Sequence, residues 1–492
     1  MAKKEEKEQG KKVTFNIDKD VNFSEWYSDI VDKAELADLR YNLKGFIVFR
    51  PWSVMVMEKM YDILEQDLQQ RGHVPAWFPS LIQDENLKKE ARHVEGFSPE
   101  VFWVQGKGEE QGLKFAMRPT SETAMYPMYA LWIRGYKDLP LKIYQRGQVW
   151  RYETKATRPF IRSREFYWIE AHDCFASEEE ARKQVQEDIE ITANLMHALA
   201  IPILHLKRPE WDKFAGALET YAADSLMPDG RMIQQPSTHL LGQNFAKAFG
   251  ILFKDKEGKE NYVWQTCFGP AVSRIFASLI SVNGDSKGLI LPFIVAPVQV
   301  IIIPIFSDQT KAKVVKKCED ISKALNKEGI KTKIDMKEVS PGEKFFFWEM
   351  KGVPLRLEIG EKELSGKITL FLRDNKTRMQ VSEKNIAETL MKQGLELDER
   401  LRKKNEKWFK ESIVECKTQN DIKKAIESKK IARCNFCSIN NDGEKCAAVV
   451  EKQLAGFVRG SLASKQEKTF SDGKCVICGK KANAVVYIGK SY

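Results

Sequence analysis

The residues best suited to chemistry gather in one stretch, Tyr144-Gln-Arg-Gly-Gln-Val-Trp-Arg-Tyr-Glu153, a basic loop, and Ile161-Arg-Ser-Arg-Glu-Phe-Tyr-Trp-Ile-Glu-Ala-His-Asp173. Both arms are rich in β-branched and aromatic residues, while Thr154 to Phe160 reads as a long hairpin loop. Alternation along a strand puts Arg162, Arg164, Phe166, Trp168, Glu170 and His172 on one face, and Arg151 with Glu153 on a face of its partner. Antiparallel sheets often carry one solvated polar face, but such a face has no need of large aromatics between its charges. Cations, carboxylates, an imidazole and two rings on one surface suit a zwitterion, a phosphate and a ring.

Other strings flank this hairpin. In Phe115-Ala-Met-Arg-Pro-Thr-Ser-Glu-Thr123, Pro119 stops a strand, and Thr120 with Glu122 stands at the start of a helix. Both residues could serve as local caps, or Glu122 could meet a ligand's ammonium group. Ser177-Glu-Glu-Glu180 is a capping box that opens a helix to about Ala200. Beyond Lys213-Phe-Ala-Gly216 come Gln234-Gln-Pro-Ser-Thr-His239 and Gln265-Thr-Cys-Phe-Gly-Pro-Ala-Val-Ser-Arg274. The second of these predicts a strand, a turn shaped by Pro270, and a helix bearing Arg274.

The framework is α+β. Ser24 to Leu36 reads as a capped amphipathic helix, Gly45–Arg50 as a strand, Ser53–Gln70 as a helix and His73–Pro79 as an extended segment. After Leu289–Pro297, which looks like a linker, Val298–Pro304 is an apolar run typical of a strand buried on both faces. Lys311–Leu325 and Lys331–Asp335 complete a βαβ unit. A charged helix runs through Asp398 to Phe409 and reads as a solvated face. Cysteines then stand at 434, 437, 446, 475 and 478. Spacing alone pairs Cys434-x-x-Cys437 with Cys475-x-x-Cys478 as a structural zinc pattern.

With 492 residues, about three domains are expected. A hydrophobic fraction of 43% is ample for buried cores, and 79 basic against 69 acidic residues leave +10, a balance compatible with a nucleic-acid partner. The first twelve residues alternate in sign, which predicts a disordered tail rather than a signal peptide. No apolar run approaches the length of a membrane span. Five of the nine cysteines lie in the C-terminal cluster, which suggests a reducing compartment and a metal more than disulfides.

These strings resemble the class II aminoacyl-tRNA synthetases, and within them the prolyl type. Arg118-Pro-Thr-Ser-Glu122 matches letter for letter, Arg151-Tyr-Glu153 matches the Arg-x-Glu of the second class motif, and residues 162–172 match Arg-x-Arg-Glu-Phe-x-Trp-x-Glu-x-His. Two departures stand out: Pro-Ser-Thr-His at 236–239 where the family has Gly-Thr-Ser-His, and one extra residue between Gly269 and Arg274. About a hundred residues between His172 and Arg274 leave no room for an editing insertion, which fits the archaeal and eukaryotic type.

The resemblance implies a charged tail (1–20), a class II catalytic domain with an antiparallel sheet flanked by helices (21–290), an α/β anticodon-binding domain (291–392) and a zinc-binding C-terminal domain (393–492). The helix and strand closing at Pro79 would form the interface of a homodimer. L-Proline would meet Thr120, Glu122, Arg151, Phe166, Trp168, Glu170, His172, His239 and Cys267. ATP would meet Arg151, Glu153, Arg162, Gln234, Ser237, Ser273 and Arg274, with Arg151 and Arg274 as the catalytic pair and Gln234 also on Mg2+. Phe345, Glu349, Arg356 and Lys362 would read the tRNA(Pro) anticodon, since stacked rings and charged forks suit single-stranded RNA. Phe346, Phe347 and Trp348 are expected in the core.

The resemblance also takes the structural Zn2+ ligands as Cys437, Cys446, Cys475 and Cys478, with Cys434 spare. It implies tRNA, proline and ATP as partners, a cytoplasmic location, and neither membrane nor DNA. Two alternatives have different signatures. A threonyl-type site would show metal-ligating His and Cys in the catalytic half, and no such set stands out in the sequence. A non-catalytic RNA-binding relative would tend to lose Arg151, Arg162 and Arg274, which are present.

Overall fold

The computed structural model describes residues 15, 17–93, 100–105, 114–464 and 466–492. The tail expected over the first twelve residues lies outside them. Helix α1 (Phe23–Lys33) is capped by Asn22, whose side chain accepts from the Glu25 amide, rather than by Ser24. The strand expected over Gly45–Arg50 shrinks to Val48–Phe49, because Arg50 is already the N-cap and Pro51 the first residue of helix α2 (Pro51–Gln70). Trp52, Val56, Met60, Leu64 and Leu68 give α2 its buried stripe.

The centre of the molecule is a sheet whose first seven strands in chain order are β1 (Val74–Pro75), β2 (Leu141–Trp150), β3 (Glu165–Phe175), β4 (Leu204–Lys207), β5 (Glu219–Leu226), β6 (Arg231–Gly242) and β7 (Trp264–Gly269). Their order is 4-5-6-7-3-2-1, antiparallel throughout except for the parallel pair β1–β2. Helices α3 (Glu122–Trp132), α4 (Glu178–Ala198) and α5 (Val272–Asn283) accompany it. The Ser177–Glu180 capping box forms as expected and starts α4. One apolar core joins α1, α2 and α5 to the inner side of β3, with Phe160, Phe268 and Phe276 fully buried.

The hairpin departs from its expected span. Strands β2 and β3 stop at Trp150 and start at Glu165, so Arg151, Glu153 and Arg162 belong to the loop and not to the strands. Phe160 and Ile161 explain this. Both plunge into the core against Phe49 and Phe276, and Phe160 takes a left-handed φ of 61° to do so. Burial of two large apolar side chains stabilises by several kcal/mol in total (about 1.5–3 each), more than two further ladder bonds would.

A second sheet holds β8 (Val300–Pro304), β9 (Thr332–Ile334), β10 (Leu355–Ile359), β11 (Lys367–Leu372) and β12 (Arg378–Ser382), in the order 9-8-10-11-12. The pairs β8–β9 and β8–β10 are parallel, and α6 (Lys311–Lys327) provides the βαβ crossover. Helix α7 (Pro341–Met350) buries Trp348, with Phe346 and Phe347 packed partly against the catalytic core, as expected. Leu289–Pro297 is no loose linker: Leu289, Leu291, Phe293 and Val295 are buried. Helix α8 (Ile386–Glu411) runs unbroken through 392/393, the expected domain junction. Its charged face does reach solvent, but Asp398 is buried and accepts the amides of Phe293 and Ile294.

The C-terminal strands are β13 (Ile413–Glu415), β14 (Ile431–Phe436), β15 (Phe457–Leu462) and β16 (Ala484–Ser491). They extend the catalytic sheet instead of standing apart. Strand β15 pairs with β4 through Ser461–Lys207 and Leu462–Leu206, and β16 touches β6 at Arg231–Lys490. A buried ion triad crosses the seam. Asp224 on β5 accepts both guanidiniums, from Arg208 at 2.7 and 2.9 Å and from Arg459 on β15 at 2.8 and 3.0 Å. Burial opposes the charge of Asp224, but Arg208 and Arg459 outweigh it and hold the carboxyl at about 2.

Breaking a buried pair from one side leaves the other charges uncompensated and typically costs about 3–5 kcal/mol. Asp224→Ala should therefore lose about that much stability in urea unfolding. Because the folded pKa of Asp224 lies below the unfolded value of about 3.9, its contribution is full above that value and is lost as pH falls toward 2. A wild-type minus Asp224→Ala difference that does not shrink on acidification would contradict this.

Candidate active site

Strand alternation builds the floor. On β3 the even positions Phe166, Trp168, Glu170 and His172 face one way. Pairing sets a row across four strands, Thr220–His239–Cys267–His172. A register shift opposite Ala223 places Asp224 against Gln234 while Ala222 faces Ser237. This bulge resets the alternation, so Gln234 reaches the same cleft as Ser237 and His239.

The cleft has a volume of about 240 Å³ and is walled by Thr120, Glu122, Arg151, Phe166, Trp168, Glu170, Gln234, Ser237, His239, Cys267 and Arg274. Eleven residues expected from the sequence thus meet in one space. Thr120 donates its hydroxyl to Glu122, and Ser121 donates to Glu170. Neither Thr120 nor Glu122 caps helix α3: its N-cap, Ser121, makes no side-chain capping bond. Glu122 does stand in the first turn of that helix, where a carboxylate meets the positive end of the dipole. Gln145 also donates to Glu170 at 2.9 Å, and His172 Nε2 lies 3.3 Å from it. Burial would raise Glu170, but His172, Ser121 and Arg118 bring its pKa below the usual range, so the pocket floor is anionic.

The opposite wall is cationic. Arg151 donates Nε to the Pro119 carbonyl at 3.1 Å and lies over the rings of Phe166 and Trp168 at 5.1 and 5.9 Å. Arg274, in the first turn of α5, donates to the Ile161 carbonyl at 3.3 Å. Burial first, then the neighbouring Arg151, Arg162 and Arg459, pull Arg274 down to about 10. A guanidinium depressed by other guanidiniums marks a place built for an anion. Arg162 donates to the Tyr492 carbonyl at 2.7 Å and sits 3.8 Å from the Glu153 carboxylate, at the edge of the cleft and not in its wall.

Several expectations need correction. His172 does not wall the cleft: it is fully buried behind Cys267, with Nδ1 2.8 Å from the Tyr126 hydroxyl. Ser273 turns inward from α5, fully buried and without a hydrogen-bond partner among the described residues. Of the swapped hydroxyls, Ser237 faces the cleft and lies 3.2 Å from His239 Nε2, whereas Thr238 points away and donates to Asp188 at 2.6 Å. His239 also meets Thr220 at 3.0 Å; burial, with His172 and Arg208 nearby, lowers it to about 3, so it stays neutral.

Sequence reasoning missed Arg208, Asp212, Lys213, Phe214 and Thr220, which complete the wall. Only the string Lys213–Gly216 had hinted at them. Arg208 Nη2 also donates to the Gln234 amide oxygen at 3.3 Å, so the residue expected to face Mg2+ is engaged by a cation.

In the second sheet Arg356 is 2% exposed yet fully partnered. It donates to Glu349 at 2.7 Å and to Glu358 at 2.9 and 3.0 Å, sandwiched 4.0 Å from both Phe345 and Phe371. Internal pairing, not vacancy for a ligand, satisfies its charge. Lys362 begins a short exposed turn, and Phe345, Glu349 and Arg356 form one cluster. In the C-terminal unit the thiols of Cys437, Cys446, Cys475 and Cys478 all lie within 4.8 Å of one another. Cys434 is buried in β14, outside that group, so the set implied by the resemblance converges and the set read from spacing does not. Four mutually close thiols are the donor set of a closed structural zinc site.

Fold and site together define a class II aminoacyl-tRNA synthetase. Residues 102–283 match the family model of the tRNA synthetase class II core domain (G, H, P, S and T), 299–393 the anticodon binding domain, and 419–492 the prolyl-tRNA synthetase C-terminal domain. The chain is 45% identical over 482 residues to the proline-tRNA ligase of Thermofilum pendens, covering 97% of this chain and 98% of the relative. With that of Methanopyrus kandleri it is 40% identical over 475 residues, 96% of each. The solved Giardia lamblia prolyl-tRNA synthetase in complex with prolyl-adenylate superposes with a TM-score of 0.93 at 34% identity, covering 97% of this chain and all of that one. The chain belongs to the proline-tRNA ligase family.

The two cysteine readings separate by metal content. Cys446→Ser should lose the metal from the C-terminal unit, and Cys434→Ser should keep it, when purified proteins are assayed by elemental analysis. Equal loss in both would restore the spacing-based set.

Proposed function

We propose that this protein activates L-proline with ATP to prolyl-adenylate, releases pyrophosphate, and transfers the prolyl group to the 3′ end of tRNA(Pro). The single observation that carries this is the cleft that sets a buried anionic floor, Glu122 with Glu170, against a wall of guanidiniums. An amino acid and ATP together have that pattern of charge in reverse.

The substrate brings its own nucleophile. An ionised carboxylate needs no general base, so the protein contributes position and charge stabilisation. Proline's ammonium rests on Glu122 and Thr120, and its ring on Phe166 and Trp168, with Cys267 and His239 closing the side. His172 acts from behind by holding Glu170. Arg151 spans the carboxylate and the α-phosphate with its planar fork, and Arg274 and Arg162 take the remaining phosphate charge. To do so Arg162 must leave Tyr492. Glu153 meets the adenine amino group and Ser237 the nucleotide. Gln234, once its amide oxygen is free of Arg208, would hold a Mg2+ ion, which would supply charge neutralisation for the phosphates. Burial of Ser273 assigns it to packing.

The second sheet takes the anticodon, with Lys362 and the Phe345–Glu349–Arg356 cluster opening its internal pairs to the bases. Zinc on Cys437, Cys446, Cys475 and Cys478 is structural, since four thiolates leave no open position. A homodimer forms over α2 and β1, where a groove of about 890 Å³ with Val48, Met57, Tyr61, Tyr167 and a 90% exposed Trp77 awaits cover. No helix among the described residues is long and apolar enough to cross a membrane. The enzyme works in the cytoplasm.

ATP–pyrophosphate exchange across the amino acids tests the whole reading. Proline should support exchange, and Arg274→Ala should lower kcat by about 100- to 1,000-fold, the effect typical of losing one preorganised charge contact. Exchange with no amino acid would leave an RNA-binding module. A largely apolar ring slot discriminates by only about 10- to 200-fold per methylene, so alanine or cysteine should also exchange at a reduced rate. Silence with both would show a stricter pocket than this wall provides.

A further inference from the structure

We infer that Glu122, His172 and Cys267 form a binding site for a thiophilic divalent cation of the zinc type, and that this cation competes with proline. The sequence had offered no metal-ligating His and Cys set in the catalytic half, because the three residues lie on α3, β3 and β7, far apart along the chain. Pairing of β3 with β7 sets Cys267 directly opposite His172, and α3 lowers Glu122 onto both.

Three observations carry the inference. Their ligand atoms lie together: Cys267 Sγ is 3.9 Å from His172 Nε2 and 4.0 Å from Glu122 Oε1, with all three atoms within 4.8 Å of one another. Around a tetrahedral zinc with Zn–S of about 2.3 Å and Zn–N or Zn–O of about 2.0 Å, ligand atoms sit roughly 3.5 Å apart. The two sulfur separations would contract by about half an ångström and the third, at most 4.8 Å, by up to about 1.3 Å to close the site.

The ring is also oriented. Tyr126 lies 2.8 Å from His172 Nδ1, and Tyr129 donates to the His172 carbonyl at 2.9 Å. With Nδ1–H donated to Tyr126, Nε2 keeps its lone pair, and a cation bound there would replace the ring's 3.3 Å contact with Glu170; the bond to Tyr126 is the outer support usual for a ligating imidazole. Finally, all three residues are buried, at 1%, 0% and 8% exposure. A buried His, Cys and carboxylate differ in this from the solvated acidic clusters common on surfaces.

Three ligands leave a fourth position open toward the cleft, the arrangement of accessible rather than structural zinc. On binding, the Cys267 thiol proton passes to solvent. Glu122 is the residue assigned above to proline's ammonium, so cation and amino acid cannot share it. This competition rests on that assignment; the coordination does not.

The test uses the full chain with its C-terminal metal in place, titrated with Co2+. A second equivalent should bind with a thiolate-to-cobalt charge-transfer band. That band should vanish in Cys267→Ser, persist in Cys434→Ser, and be displaced by L-proline. In proline-dependent exchange with excess Mg2+, Zn2+ should raise the KM for proline at least tenfold while kcat and the KM for ATP hold. In Cys267→Ser, whatever its own KM for proline, Zn2+ should no longer raise it. Cys267→Ala replaces the serine variant should that one fail to fold.

Absence of a second equivalent, or one bound equally well without Cys267, overturns the site. A Cys267-dependent band that proline fails to displace, in protein that activates proline normally, overturns the competition. A Cys267-dependent band in protein that activates no proline sustains the site and removes the proline reading instead.

Discussion

Like charge held at short range is the constraint on which this molecule turns. Arg151 and Arg274 line one cleft with Arg162 at its edge, and burial first, then Arg151, Arg162 and Arg459, lowers the pKa of Arg274, with Glu153 as a nearby counter-charge. Such a cluster opposes folding, and it persists only because each arginine is fixed by something rigid. Arg151 is tied to the Pro119 carbonyl, Arg274 to a core helix, and Arg162 to the Tyr492 carbonyl. Arg151 and Arg274 are thereby held at the cleft in advance, while Arg162 stays engaged with Tyr492 at its edge.

The same logic explains why the C-terminal unit is woven into the catalytic sheet. Strand β15 carries Arg459 onto Asp224, and Arg208, the other partner of Asp224, reaches Gln234 in the cleft. The unit that holds the cysteine cluster is thus tied through Arg459, Asp224 and Arg208 to Gln234 in the cleft wall. The unit that carries the four thiols supplies one buried cation, Arg459, to the triad behind the cleft.

The anionic half follows different physics. Glu170 keeps its charge in a buried place because Ser121, Gln145 and His172 surround it. Glu122 is approached by Thr120 and Cys267. Hydrogen-bond donors stabilise carboxylates that burial alone would protonate. Separation of the two signs across the cleft gives the site its polarity.

Reacting residue types and their order along the chain were legible in the sequence, since strings such as Arg118–Glu122 and Arg162–His172 carry both identity and spacing. So were the long helices and the βαβ unit, whose periodicity is local. What tertiary structure decided was direction and company. Whether Ser237 or Thr238 faces the cleft depends on a bulge set by pairing with β5, and Ser273 turns inward because α5 packs on the core. The hairpin ends where Phe160 and Ile161 find a distant apolar core. Cys446 displaces Cys434 from the thiol cluster because β14 buries Cys434 elsewhere. Arg208 enters the wall, and Glu122, His172 and Cys267 meet, only through contacts between residues far apart in the chain. Local periodicity encodes none of these, because a strand's parity and a side chain's neighbours are fixed by the partner it pairs with.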